Sequence, residues 1–65
     1  MDFEEKAKIR LERWLVHNEE HMADYGKFAD QLESAGMKAS ATHLREMIAW
    51  SEKGNDCLRR ALEHL

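Results

Sequence analysis

The chain has 65 residues, 35% of them charged and 43% apolar, with a formal net charge of -3 and a single cysteine, Cys57. That length holds one domain and buries only about 60% of the unfolded surface, and one thiol permits no internal disulfide. Bases interleaved with acids leave no basic face, which disfavours nucleic acid and anionic membranes, and no apolar run approaches the ~20 residues of a membrane span.

The first residues, Met1-Asp2-Phe3-Glu4-Glu5, lack the basic start and apolar middle of a secretory signal, so a cytoplasmic address is expected. Asp2 is a helix cap, and Glu4 and Glu5 fall in the first turn, where the free N–H groups and the dipole favour negative charge. No proline or cluster of turn residues follows until Ser34-Ala35-Gly36. The reading is a first helix over about 3–34, a turn at 35–37 closed by Gly36 in the left-handed region, and a second helix over about 38–64. Gly26 interrupts the first helix, as a tolerated outer-face glycine or as a bend or close approach. Gly54-Asn55-Asp56 has turn propensity, but Leu44, Leu58 and Leu62 stay in phase across it, which favours a continuous helix.

In the first helix, Ala7, Leu11, Trp14, Asn18, His21, Tyr25, Phe28 and Leu32 recur at alternating spacings of four and three, the pattern that keeps a seam facing a partner helix. The inner stripe of the second helix reads as Met37, Ser40 or Ala41, Leu44, Met47 or Ile48, Ser51, Gly54, Leu58, Ala61 or Leu62, and Leu65. Ile9, Leu15, Val16, Met22, Ala29, Ile48, Trp50 and Cys57 widen the apolar surface beyond what one hairpin covers. The expected architecture is therefore all-α: a single 1–65 domain forming a long antiparallel helical hairpin that pairs with a second copy into a four-helix bundle. A lone three-helix bundle, broken at His17-Asn18 or at Gly54, is the alternative.

Folding the hairpin about Gly36 sets Trp14 against Leu58, Asn18 against Gly54, His21 against Ser51 and Tyr25 against Met47. Two readings of this polar centre stay open. In one, Asn18 and His21 form a buried hydrogen-bonded layer that fixes register and partner number, with Asn18 meeting its symmetry mate and His21 reaching Ser51 or Tyr25. The small residues Ser51 and Gly54 can equally leave a polar pocket walled by Tyr25 and Trp14 or Trp50, with Cys57 close by. In the other, His17 and His21, four residues apart, hold a Zn, Ni or Fe ion with Glu20 or Asp24 and ligands from a second subunit.

Known templates do not complete. Asn18, not glutamate, follows His17, so the zincin pattern fails, and no histidine has a glutamate three residues before it, as a bundle di-iron site requires. His43 reads as a surface residue held by Glu46, Cys57 as a small buried thiol, and Trp14 and Trp50 as interface anchors. No phosphate loop, nucleophilic triad or aimed acid pair is present, so no enzymatic activity is expected. The function expected is a homodimeric interaction or structural module, also open to a protein partner, with metal binding or sensing as the alternative and no other cofactor.

The run Trp14-Leu15-Val16-His17-Asn18-Glu19-Glu20-His21, followed by Tyr25, Phe28 and Ala29, resembles a group of short helical domains of prokaryotes with a Trp-x-x-His-Asn-x-x-His pattern. These are uncharacterised modules found alone or appended to other proteins. The resemblance implies a recurrent module and groups Trp14, His17, Asn18 and His21, and it implies no activity.

Overall fold

A computed structural model describes residues 2–65; Met1, at the start of the expected 1–65 domain, lies outside them. Two α-helices, α1 (Phe3–Ser34) and α2 (Lys38–Glu63), pack antiparallel as a hairpin. The α1 start is held by Asp2, whose Oδ1 accepts the Glu5 backbone N–H at 2.8 Å, with Glu4 and Glu5 in the first turn. Its end closes on Gly36 at φ 85, the left-handed value glycine adopts without a Cβ penalty. There the Gly36 N–H donates to the Glu33 carbonyl at 3.0 Å and the Met37 N–H to the Leu32 carbonyl at 2.8 Å. This paired closure satisfies two carbonyls that a helix end otherwise leaves free. By contrast, α2 starts at Met37 with no side-chain cap.

α2 runs unbroken through Gly54-Asn55-Asp56, so the three-helix alternative is set aside. Turn propensity loses because Asn55 carries its amide into the seam rather than bonding its own backbone. A Cβ at Gly26 would meet nothing within 4 Å, so that glycine marks no close approach within the chain.

The seam differs from the expected stripe by one residue on alternate turns. Ala29 and Ala41 are fully buried, and Leu11, Leu15, Asn18, Met22, Tyr25, Leu32, Leu44, Ile48, Ser51, Leu58 and Leu62 are half-buried along the contact. Trp14, His21 and Phe28, expected inside, are exposed; Leu15, Met22 and Ala29 replace them. The reason is steric. Two helices meeting along one line are closest where side chains are small or slender, and Ala29 and Ala41 permit an approach that indole and phenyl rings would block. In α2 the inward members of the expected pairs are Ala41, Ile48 and Leu62, Asn55 takes the place of Gly54, and Met37 at the cap and Leu65 beyond the helix are exposed with Met47 and Ala61.

The product is a rod of 51 × 16 × 10 Å with a radius of gyration of 15.3 Å, against about 11 Å for a compact domain of this length. Its accessible surface is 5169 Å². A globular monomer of the same mass, 7.6 kDa, exposes about 4,300 Å². The chain thus carries roughly 900 Å² more surface than its mass warrants. No helix among the described residues is long and apolar enough to cross a membrane.

Candidate functional site

Asn55, at 1% exposure, is the largest side chain fully buried among the described residues. Its Oδ1 accepts the Asn18 amide at 2.9 Å, and its own amide reaches the Leu15 carbonyl at 3.5 Å. This pair ties the helices at mid-height and sets the register one residue from that expected, with Asn18 opposite Asn55 rather than Gly54. The polar layer therefore closes within one chain. Asn18 needs no symmetry mate, and His21 is not part of the layer. Sequence reasoning passed over Asn55 because it sits in a Gly-Asn-Asp run that resembles a turn; the signal for it was its place in the seven-residue series Ala41, Ile48, Asn55, Leu62.

Charge divides the two flanks of the hairpin. On one flank Arg59 bridges to Glu19 at 3.2 Å across the helices and to Asp56 at 2.9 Å within α2. On the same flank Arg45 reaches Asp30 at 2.9 Å and Glu33 at 3.3 Å. Hydrogen bonding to Asp30 first, then to Glu33, raises the Arg45 pKa above its ordinary value. Arg59 is thus a cross-helix partner.

The opposite flank is aromatic. A shallow groove of about 180 Å³ lies between the helices there, lined by Asn18, His21, Tyr25, Ser51 and Gly54. Trp14, His17, Tyr25 and Phe28 stand seven, four, four and seven residues from His21, so they share its face; Met47, Trp50, Cys57 and Ala61 stand seven, four, three and seven residues from Gly54 and share its face. Trp50 is 69% exposed and Trp14 50%, with Phe28 and Met47 also open to solvent. Lys53 places its Nζ 4.5 Å from the centre of the Trp50 ring, a contact worth about 0.5–1 kcal/mol at an exposed site. Cys57 is exposed, which corrects the expectation of a buried thiol. Gly54, expected opposite Asn18 in the seam, is exposed and lines this groove, and Ser51, half-buried along the seam, lines it with His21.

His17 and His21 project from this flank with their Nε2 atoms 2.8 Å apart, the rings edge to face at 89° and the centroids 4.3 Å apart. His21 in turn stacks on Tyr25, with centroids at 5.8 Å and planes 16° apart. The stack holds His21 against Tyr25, and both histidines are exposed with their Nε2 atoms at hydrogen-bond distance from each other. Glu20 lines a recess with Trp14 and His17, but among the described residues no group of three histidine, cysteine or carboxylate side chains is placed to hold a metal. The expected Glu20 ligand is therefore not brought to the pair. His43 stands apart near the turn, 3.5 Å from Glu46 as expected.

The family model described as "Domain of unknown function (DUF8180)" matches residues 7–65, a span that takes in α1 from its fifth residue, all of α2, the asparagine pair and the histidine pair. The chain belongs to this family. No curated protein and no solved structure matches it.

Proposed function

We propose that this chain is a non-enzymatic interaction module that acts as a homodimer, with the aromatic flank of each hairpin covering that of the other in a four-helix bundle. One observation carries the reading: the surface beyond what the mass warrants, roughly 900 Å², accompanies a flank bearing Trp14, Phe28, Met47 and Trp50. A stable association removes about 800 Å² from each partner, so the two quantities agree.

Three further features support a second copy rather than an unrelated partner. In α1 the aromatic flank carries Lys6, Arg10 and Arg13 before the histidine pair and Glu20 and Asp24 within and after it, with Lys27 beyond them. Lys6, Arg10 and Arg13 are complementary to Glu20 and Asp24 in an antiparallel pairing. Gly54 is exposed, and a Cβ there would meet nothing within 4 Å. A glycine inside a helix costs about 1 kcal/mol against alanine, and the isolated hairpin gives no reason for it, whereas a helix crossing closely at that point does. Finally, fully buried residues number three among those described, Ala29, Ala41 and Asn55, which is a seam rather than a core.

The tryptophans report on the assembly directly. Emission of Trp14 and Trp50 is expected to be blue-shifted at high concentration and to move to the red on dilution, with helical circular dichroism falling as chains separate. Emission that stays at the fully hydrated position at every concentration, with helicity intact, would sink the dimer.

A further inference from the structure

We propose that His17 and His21 are half of a four-histidine site for a divalent ion of the zinc class, completed by the same two residues of a second copy. This inference rests on the dimer proposed above. The geometry of the pair comes first. Two imidazole nitrogens bound to one tetrahedral ion, each ~2.05 Å from it, lie roughly 3.3 Å apart. The Nε2 atoms here are 2.8 Å apart, both on the solvent side of one helix, and stacking on Tyr25 holds His21 in place. A small outward rotation of His17 reaches the chelating separation. A bidentate pair alone fills two of four positions, and no carboxylate or thiol of the same chain joins it among the described residues.

The symmetry of the flank supplies the other two. The Asn18–Asn55 hydrogen bond puts Glu19 level with Gly54. A two-fold axis crossing the hairpin at this level pairs α1 with its own copy antiparallel about Glu19, and α2 with its own copy about Gly54. In α1, His17 of each copy then meets His21 of the other. The same operation sets Arg10 level with the second copy's Phe28, a cation–π pairing, and Arg13 level with its Tyr25 and one residue from its Asp24, within reach of an ion pair. In α2 it sets Gly54 against Gly54, Trp50 at the level of the second copy's Cys57 and Leu58, and Met47 at that of its Ala61. One axis thus accounts for the exposed glycine and the exposed histidine pair. Four imidazoles suit a borderline ion indifferent to geometry, of which zinc is the type.

The test uses the full chain with zinc or cobalt(II) as the probe, titrated by calorimetry and followed by native mass spectrometry and sedimentation. One ion per two chains is expected, with a shift of the monomer–dimer balance toward dimer and, for cobalt, the intense visible absorption of tetrahedral coordination. H17Q and H21Q, which change exposed side chains, each should lose ion retention while keeping helicity. Three outcomes overturn the site: an ion held at one per chain and unchanged by dilution, no retention, and retention that survives both substitutions. A chelator-treated sample separates the two readings: a metal-free dimer with no ion binding removes the site and leaves the dimer, whereas a monomer with and without metal removes both.

Discussion

The two flanks of the hairpin solve the same problem differently. Both lie beside the same seam and both belong to the same two helices, yet one is closed by Arg45 and Arg59 bridging to acids of α1, while the other presents aromatic, thiol and imidazole groups with few charges between the helices. Exposed ion pairs contribute little to stability but keep a surface wetted and unattractive to a second apolar face. The difference shows that the hairpin has a sealed side and an open side. The proposed association is thereby directed to the open flank.

That contrast can be broken most sharply at Trp50. Trp50→Glu places a charge at the most exposed indole and should cost association about 2–4 kcal/mol, the range of a central aromatic anchor; a dilution series by light scattering would show the dimer gone at concentrations where wild type retains it. Asn55→Ala acts on the seam common to both flanks. It strips the Asn18 amide of its acceptor in a buried setting, at a cost of about 1–3 kcal/mol, visible as an early thermal midpoint and weaker helicity in a chain with so thin a margin.

Gly54→Ala separates folding from association. The hairpin has room for the methyl group, so helix stability should rise by roughly 0.5–1 kcal/mol, while dimer affinity falls because the close crossing is obstructed. Urea titration and sedimentation read the two effects independently. The smallest change belongs to the sealed flank: Arg59→Ala should cost under ~1 kcal/mol, lessen with added salt and leave association untouched.

Much of the fold was legible because its signals are local. Asp2 before an acidic turn and Ser34-Ala35-Gly36 mark helix ends through caps that involve neighbouring residues alone. The phase of the seam was not, since α1 carries two interleaved stripes that both recur at alternating threes and fours. The larger side chains, Trp14, His21 and Phe28, drew the reading toward the wrong one. Which stripe turns inward is decided by how closely α1 meets α2 at Ala29 and Ala41, a property of the pair of helices. Asn18, His17 and His21 lie close together in the sequence, but their places in the hairpin divide. Asn18 faces inward to an asparagine that turn propensity had disguised, and the histidines face outward toward whatever lies on the open flank.

Sedimentation equilibrium of the untagged, metal-free chain tests the central claim most directly. The account predicts a reversible species of twice the 7.6 kDa chain mass that dissociates on dilution and is abolished by Trp50→Glu. A helical monomer at every concentration would contradict it, because the aromatic flank would then stand open to solvent with no second copy to cover it.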